Sequence, residues 1–349
     1  MKRLLLFALP FVLLLGCKQE PVHRDWGAMS SNFATTLRDP LPGAVPAEAA
    51  LDSIVEDSRR WDSAFSDYSM QSGLVALRGR KGDTILISPE VAAILLEALR
   101  IGRLSGGRFD IGMHDIKALW NLASENPRVP PGDSLASVLA QRWRGPVPAA
   151  DSFQPPLAIL PDHRAVLLTD SLPIDLGGIA KGYVVDRISD HLAAMGWPIH
   201  LIQAGGEIRC RGSKGKPWAI GVKNPRRTDT VAGVIHLDTG MAVSTSGDYE
   251  RFFLDKGIRY HHILDPRRGI PGNEGSVSTT VLCAKSMTCD AFSTAFFLMG
   301  PRRGRSVAKA QGVEVLWIRE STHGLCGIAT GGWGARLDRS GLPGCPDEW

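Results

Sequence analysis

The sequence contains no apolar run long enough to cross a membrane. The one candidate, residues 4–15, falls short of the roughly 20 residues that a membrane-spanning helix needs. The 6 cysteines include no C-x-x-C pair, which argues against a thiolate zinc site. The formal net charge is only +4, so neither nucleic-acid binding nor attraction to an acidic membrane surface is predicted. Internal repeats and low-complexity blocks are also missing, which excludes repeat architectures.

The first residues read as a targeting signal. Lys2 and Arg3 precede the short apolar run, which ends in Leu14-Leu15-Gly16-Cys17. This ending resembles a bacterial lipobox, which implies a signal peptide over residues 1–16, cleavage before Cys17 and lipidation of its thiol. The mature chain is then expected on the periplasmic side of a bacterial membrane, held by its lipid. An ordinary signal peptide with an incidental cysteine is the alternative.

Five cysteines remain after Cys17, an odd number. In an oxidising compartment one or two pairs can close, and the pair Cys326 with Cys345 is favoured. Sequence alone does not set the connectivity.

Two parts of the mature chain differ in pattern. Residues 17–45 have weak periodicity and read as a tether that leads into a first strand around residues 32–37, and residues 46–349 are expected to form one domain. Helices are predicted over residues 47–66, from Pro89 with Ser88 as its cap, and over 133–143, 181–195 and 290–299. Strands are predicted over residues 166–169, 199–203, 218–222, 234–237, 278–283 and 313–318. Strands in runs with few helices between them favour an α+β fold with antiparallel-rich sheets flanked by helices.

The run from Asp175 to Tyr183 has the form of a phosphate-binding segment. Gly177 and Gly178 leave the backbone bare, and the predicted helix brings its positive dipole end and Lys181 to the same place. A Gly-Gly turn before a helix is also compatible with a simple turn, and Lys181 with a solvated charge.

Asp290 and Thr294 are spaced i, i+4, so their oxygens lie on one helix face and can hold a hard cation such as Mg²⁺. Asp290 fits equally well as a first-turn carboxylate that needs no metal. The rest of that helix is strongly apolar, so a carboxylate and a hydroxyl at its end require a partner.

Three further segments place small or polar residues beside predicted strands. They are Ala204-Gly205-Gly206-Glu207, Ser244-Thr245-Ser246-Gly247-Asp248-Tyr249, and the stretch from Tyr260 to Gly269. The first two leave backbone amides free to bind anions. In the third, His262 and Asp265 can act in catalysis, or they can serve as a structural imidazole and a turn carboxylate.

These motifs occur in an order that resembles the ApbE family of FAD:protein FMN transferases, over roughly residues 25–330. Further matching pieces are Met29, Phe65-Ser66-Asp67-Tyr68 with Ser72, Gly107-Arg108-Phe109-Asp110 and Leu119-Trp120. The resemblance implies an ApbE-like, T-fold-like single catalytic domain. The chain departs from the family pattern at residues 29–31 and 112–115 and has no clear counterpart of the family's Asn after Ser72. All of these differences are expected to lie toward the nucleotide pocket.

The resemblance also implies roles for individual residues. The metal site falls on Asp290, Thr294 and the carbonyl of Gly178, with Ser293 as a helper. Contacts to FAD fall on Met29, Tyr68, Arg108, Phe109, Asp110, Asp175, Lys181 and His262, and the pyrophosphate is lined by Gly205, Gly206, Thr245, Ser246 and Gly247.

The expected reaction is Mg²⁺-dependent transfer of FMN from FAD, the substrate, to a threonine or serine hydroxyl of an acceptor protein, with release of AMP. His262 is the candidate base, Asp265 its orienting partner, and Lys181 the group that takes up phosphate charge. The implied partner is a flavin-carrying subunit of a membrane redox complex. An FAD pyrophosphatase and a non-catalytic flavin-binding lipoprotein are the alternatives.

Overall fold

A computed structural model describes most of the chain. The described residues are 20–65, 74, 77, 81–122, 124–143, 153–169, 173–227, 229–339 and 341–345. Cys17, the segment before it and Tyr68 lie outside them. No helix in these ranges is both long and apolar enough to span a bilayer.

Strands outnumber helices in the described ranges. In chain order the strands are β1 (Val22–Ala28), β2 (Ser31–Arg38), β3 (Thr84–Leu86), β4 (Leu157–Ile159), β5 (Arg164–Leu167), β6 (Ile199–Ala204), β7 (Glu207–Arg211), β8 (Trp218–Lys223), β9 (Val231–Leu237), β10 (Ala242–Gly247), β11 (Phe252–Asp255), β12 (Ile258–His261), β13 (Ser278–Cys283), β14 (Glu314–Ser321), β15 (Gly324–Ala329) and β16 (Leu337–Asp338). The helices are α1 (Ala47–Phe65), α2 (Pro89–Leu104), α3 (His114–Trp120), α4 (Gly132–Trp143), α5 (Ala180–Ala194) and α6 (Ser286–Gln311).

An eight-stranded sheet in the order β1-β2-β6-β7-β10-β13-β14-β15 forms the central layer. Each neighbouring pair in it is antiparallel. The register places Ser244 of β10 opposite Glu207 of β7 on one side and Val281 of β13 on the other. The predicted α+β class with antiparallel-rich sheets is therefore confirmed.

The central sheet is covered on both faces. Helices α1, α2, α5 and α6 pack on one face, and the apolar core there includes Phe33, Ile202, Val281 and Phe292. On the other face the small sheet β16-β9-β8 covers Leu282, Leu316 and Ile318. All six residues of β13 are buried as a result, which is typical of a strand enclosed on both sides.

Local signals located the first helices correctly. Ser88 caps α2, and its hydroxyl accepts a hydrogen bond from the amide of Val91 at 3.2 Å. In α1 the apolar stripe is buried as expected, including Leu51, Ile54 and Trp61.

Several expectations about elements were wrong. Part of the predicted tether is β1, which pairs with β2 along its whole length. The segment Thr245-Ser246-Gly247, which was expected to follow a strand as a loop, is itself part of strand β10. Helix α6 begins at Ser286 rather than Asp290 and continues to Gln311 through a kink at Gly300.

The described cysteines form two disulfides and leave one thiol. Cys326 is bonded to Cys345, the favoured pair, and Cys283 to Cys289. Cys210 remains a buried free thiol. The Cys283–Cys289 bond joins the end of β13 to the first turn of α6, directly before Asp290.

Candidate active site

Helices α5 and α6 cap each other's first turn. The carboxylate of Asp290 in α6 accepts a hydrogen bond from the amide of Gly182 in α5, at 2.9 Å. The carboxylate of Asp186 in α5 accepts from the amides of Ser286 and Met287 in α6, at 2.9 and 3.1 Å. Because neither helix has a side-chain cap of its own, these contacts satisfy amides that would otherwise be orphaned. The exchange brings the two helix starts together and holds Asp290 between them.

The loop before α5 lies against α6 and Phe109. A Cβ at Gly178 would lie 3.2 Å from Cε2 of Phe109 and 3.5 Å from Oγ1 of Thr294. Glycine therefore lets the backbone at 178 approach Thr294, as the sequence-based metal site requires. Phe109 is buried at 4% exposure and closes the other side of this loop.

Asp175 is held at the entrance of the same loop. Its Oδ1 accepts from the amide of Gly177 at 2.8 Å, and its Oδ2 pairs with Nζ of Lys117 at 2.7 Å. Burial would raise the pKa of the Asp175 carboxyl, but Lys117 and the Gly177 amide outweigh it and hold that pKa below its usual value. Asp175 is therefore a fixed carboxylate. Lys117, in the unpredicted helix α3, was not among the expected site residues.

Hydroxyl groups from β10 and α6 form a chain beside Asp290. Ser246 Oγ lies 2.7 Å from Ser293 Oγ and 3.3 Å from Thr294 Oγ1. Ser293 donates to the carbonyl of Asp290 at 2.8 Å, which fixes its orientation and leaves its lone pairs available. Ser244 Oγ lies 3.3 Å from Ser293 Oγ and also 3.3 Å from Glu207 Oε1. Thr245 faces away and pairs with Thr280, oxygen to oxygen, at 2.9 Å.

Glu207 is a site residue that the sequence reasoning did not select. Its side chain is buried at 4% exposure, and its Oε2 lies 3.6 Å from Nζ of Lys181. Within the described residues this Oε2 has no hydrogen-bond partner. Burial raises the pKa of Glu207 to about 8; Lys181 opposes the shift and the nearby charge of Asp290 adds to it. Its position directly after Gly205-Gly206 was the available signal.

Lys181 lies where the predicted phosphate contact requires a cation. Its Nζ donates to the carbonyl of Gly177 at 3.2 Å and faces Glu207. Burial acts to lower the pKa of Lys181, but the carboxylates of Glu207 and Asp290 raise it above its ordinary value. The ammonium is therefore charged. Burial likewise raises the pKa of Asp290, although Lys181 opposes that shift.

The oxygens around Asp290 suit a hard divalent cation. Asp290, Thr294 and Ser293 supply a carboxylate and two hydroxyls, and Glu207 adds a carboxylate oxygen without a hydrogen bond. Magnesium prefers such ligands and is usually held by one or two carboxylates together with substrate phosphates. No cluster of three or more His, Cys, Asp or Glu residues that could hold a metal occurs in the described ranges. One or two carboxylates with hydroxyl groups fit an ion that shares its ligands with a substrate.

The β1–β2 turn and the Gly205-Gly206 turn meet at the edge of the site. Met29 and Ser30 both have positive φ, 51° and 52°, and the amide of Met29 is held by Asp62 Oδ2 at 2.9 Å. A Cβ at Gly205 would lie 2.7 Å from Ser31 Oγ, and one at Gly206 would lie 2.5 Å from the carbonyl of Thr245. Glycine is required at 205 because φ is +63° there, and at 206 because a side chain would meet the backbone of β10.

His262 lies near Lys117 and Arg251 and does not pair with Asp265 as expected. Its Nδ1 is 3.3 Å from the carbonyl of Arg251, which assigns the ring proton to Nδ1 and leaves Nε2 as an acceptor. Asp265 instead pairs with Arg108 at 2.8 Å and accepts from the amide of Arg267 at 2.8 Å. Asp265 is therefore a turn carboxylate, and the orienting role assigned to it was wrong.

The electrostatic surroundings keep the imidazole of His262 neutral. Burial, with Lys117, His261 and Arg251 nearby, lowers the pKa of His262 to about 3. Arg251 also donates to the carbonyl of Ser30 at 3.0 Å, which links His262 to the β1–β2 turn.

The remaining residues that were expected to contact FAD or its pyrophosphate contact other residues of the protein. Asp110 forms an ion pair with Arg142 and accepts from the amide of Gly112 at 2.8 Å. Arg108 is occupied by Asp265. Gly247 lies against Tyr249, whose ring would be 2.3 Å from a Cβ at that position.

Comparison with known proteins gives a consistent result. The model of the ApbE family matches residues 29–317. An FAD:protein FMN transferase of Vibrio cholerae is 28% identical over 333 residues, which cover 90% of this chain and 92% of the relative. One from Haemophilus influenzae is 32% identical over 250 residues, 69% of each chain.

Solved structures agree with the sequence matches. The flavin transferase ApbE from Vibrio cholerae superposes with a TM-score of 0.78 at 28% identity, covering 91% of this chain and 99% of that one. The ApbE protein from Thermotoga maritima gives a TM-score of 0.76 at 28% identity, with 89% and 96% covered. The fold, the order of the motifs and the family match over residues 29–317 together show that this chain belongs to the ApbE family.

Proposed function

We propose that this chain transfers FMN from FAD to a threonine or serine hydroxyl of an acceptor protein and releases AMP. One observation carries the proposal: the Asp290 carboxylate and the Thr294 hydroxyl of α6 meet the start of α5, where Thr294 lies against Gly178 and the Lys181 ammonium donates to the carbonyl of Gly177. A carboxylate and an ammonium beside a glycine loop suit a diphosphate and its cation. Membership of the ApbE family supports the same reaction.

The reaction exchanges one phosphorus–oxygen bond for another. The bond between the FMN phosphorus and the bridging oxygen breaks, and the acceptor hydroxyl forms a new bond to that phosphorus. The hydroxyl proton leaves to a base, and AMP carries away the bridging oxygen. Such a transfer depends mainly on positioning and on stabilising negative charge.

The residues divide these tasks. Lys181 is charged and faces the loop at Gly177, so it neutralises charge that develops on the AMP phosphate. His262 presents its unprotonated Nε2 and accepts the hydroxyl proton, with its ring held by the Arg251 carbonyl. Its basicity rises when a bound anion offsets Lys117 and Arg251, the cations that lower its pKa.

A divalent cation completes the site. Asp290, Thr294 and the carbonyl of Gly178 would hold Mg²⁺, with Ser293 as a helper. A bound Mg²⁺ neutralises phosphate oxygens and orients them for displacement. Glu207, with its Oε2 3.6 Å from Nζ of Lys181, positions that ammonium, and a bound cation would favour the carboxylate form of Glu207 by offsetting the burial that raises its pKa.

The flavin end of the substrate would lie toward Phe109 and Asp175. The fixed carboxylate of Asp175 accepts a hydrogen bond from a ring amide or a ribose hydroxyl. Phe109 closes the loop at Gly178, and Met29 lies in the β1–β2 turn, whose Ser31 contacts Gly205. Tyr68, outside the described residues, would offer an aromatic face.

The location and partner are part of the proposal. We place the protein on the periplasmic side of a bacterial membrane, anchored through a lipid on Cys17, because Leu14-Leu15-Gly16-Cys17 matches a lipobox. The described chain reaches strand β1 at Val22, so only a few residues would separate the lipid from the domain. The acceptor would be a flavin-carrying subunit of a membrane redox complex.

The test uses the chain without its signal peptide, incubated with FAD, MgCl₂ and a threonine-bearing acceptor subunit. Mass spectrometry should show the acceptor gaining the mass of FMN, with one AMP released for each acceptor modified. Free FMN and AMP at a rate indifferent to the acceptor would instead show a pyrophosphatase. Bound FAD that stays intact would show a flavin-binding protein without turnover.

A further inference from the structure

A groove runs beside the short sheet that ends at His262. Within the described ranges, strand β12 pairs with β11 on one edge only, and all four residues of β12 line a cavity of about 400 Å³. The remaining lining residues are Trp120, Val129, Pro130, Leu135, Ile270, Pro271, Gly272 and Asn273. The segment at 271–272 bonds to the end of β12 and to the residues after it: Nε2 of His261 lies 3.0 Å from the carbonyl of Gly272, and the amide of Gly272 donates to the carbonyl of Ile263 at 2.9 Å. The start of β12 therefore keeps an edge to which a further strand can bind.

One wall of the groove is a rigid aromatic surface. The rings of Trp120 and Tyr260 lie 5.5 Å apart, and Phe253 stacks on Tyr260 at 5.2 Å. Trp120 is fixed further because its Nε1 donates to the carbonyl of Gly269 at 2.7 Å. Ile258 at the start of β12 is 56% exposed, a high value for an isoleucine beside a preformed apolar wall. Such a wall accepts an apolar side chain without reordering.

The groove also carries a guanidinium, that of Arg259, with one unsatisfied donor among the described residues. Arg259 stacks on Phe252 with 3.8 Å to the ring centroid, and its Nη1 is shielded from solvent yet has no hydrogen-bond partner in the described part of the chain. None of the residues that line the groove is acidic. A carboxylate on the bound molecule would accept a hydrogen bond from this guanidinium. Such a bond is favourable because a donor that is shielded from solvent and has no acceptor raises the free energy of the protein.

The groove leads to the candidate base. His262 follows directly after β12, so an extended peptide that begins beside Ile258 reaches His262 within four residues, or about 13 Å. A nucleotide would not use a free strand edge, whereas a polypeptide would pair with it. These features favour a peptide as the occupant.

We propose that the groove beside β12 binds the acceptor protein through an extended segment that adds a strand to β12. An apolar side chain of that segment lies against Trp120 and Tyr260, a carboxylate pairs with Arg259, and its hydroxyl arrives next to His262. This inference rests on the proposed function and names how the acceptor is recognised.

The experiment measures the KM for the acceptor and the dissociation constant for FAD separately. The acceptor used as the probe is a flavin-carrying redox subunit expressed without its flavin. In Ile258→Ser and Arg259→Gln, the KM for this subunit should rise about tenfold or more, since an apolar contact or a charged hydrogen bond is lost. The dissociation constant for FAD, from quenching of flavin fluorescence, should stay within about twofold of wild type.

Leu254→Ser is the matched control. Leu254 is 62% exposed on β11 and does not line the groove, so both constants should keep their wild-type values. Circular dichroism of all variants confirms folding. An unchanged KM in both groove variants overturns the inference, as does a parallel loss of FAD affinity, which would place the nucleotide in the groove. Failure of the proposed function is distinct, because the wild-type chain would then modify no acceptor at all.

Discussion

The carboxylate of Asp290 caps the first turn of α5 through the amide of Gly182, at 2.9 Å. Asp186 returns the contact by capping α6. The residue proposed to hold the metal is therefore also a structural cap, and its removal has two effects that can be separated by choice of substitution.

Asp290→Ala should abolish FMN transfer and also lower the free energy of unfolding by about 1 to 2 kcal/mol, because the Gly182 amide loses its acceptor. Asp290→Asn keeps an oxygen for that amide but loses the negative charge. We expect near wild-type stability in this variant, with transfer reduced by about a thousandfold or more. Urea unfolding and acceptor mass spectrometry measure the two effects. Full transfer by Asp290→Ala at limiting metal would remove Asp290 from the metal site.

Gly182 allows the two helix starts to touch. A Cβ there would lie 2.4 Å from the carbonyl of Ser286 and 2.7 Å from Cα of Met287, both backbone atoms that cannot move aside. Gly182→Ala should therefore lower the unfolding free energy by about 2 to 3 kcal/mol, although alanine is the better helix former.

The matched control is Gly132→Ala, also in a helix. No atom lies within 4 Å of the added carbon at Gly132, so its stability should be unchanged or slightly higher. Equal thermal midpoints for the two variants would contradict the close contact between α5 and α6.

His262 should show no protonation step near neutral pH. Its pKa of about 3 in the free enzyme keeps the imidazole neutral from about pH 5 upward. The pH profile of kcat/KM should accordingly lack a transition at the usual histidine value, and ¹H NMR should show an unshifted His262 signal over this range. His262→Gln should lower kcat by about a hundredfold or more while FAD binding persists. A transition near pH 6.5 that disappears in His262→Gln would contradict the neutral imidazole.

Elements with local signals were predictable from sequence, and contacts between distant segments were not. Ser88 and Pro89 predict the start of α2, because the residue that caps this helix directly precedes it in the sequence. The start of α6 was misplaced because its cap, Asp186, lies in another helix. A reader of the sequence alone would prefer Asp290 as the first residue, since an acidic residue favours a helix start.

In the site, too, residues in recognisable motifs were predictable from sequence, whereas contacts between distant segments were not. Motif order identified Asp290, Thr294, Gly178 and Lys181, which the fold brings together. Asp265 was paired with His262 because the two are close in sequence, whereas its partner is Arg108 in a remote segment. Glu207 was not predicted as a site residue, because its contact with Lys181 and its burial arise only in the tertiary structure.

His200 should make the fold sensitive to acid. Its side chain is fully buried, with Nδ1 2.8 Å from the carbonyl of Trp197 and Nε2 2.8 Å from Ser189 Oγ. Burial lowers the pKa of His200 to about 4, below its unfolded value of 6.5. The unfolded chain therefore binds the proton more tightly, so the contribution of this group is complete above pH 6.5 and is lost as pH falls toward 4.

The expected loss is on the order of 2 to 3 kcal/mol of unfolding free energy between pH 7 and pH 4.5. Urea titrations at a series of pH values measure it. His200→Gln should flatten the slope in this window, because the titrating group is gone, whereas His323→Gln at the exposed β14–β15 turn should keep the wild-type slope. If His200→Gln proves too unstable to titrate, ¹H NMR of the wild-type chain gives the answer: a ring signal that titrates near pH 6.5 in the folded protein would refute a buried neutral His200.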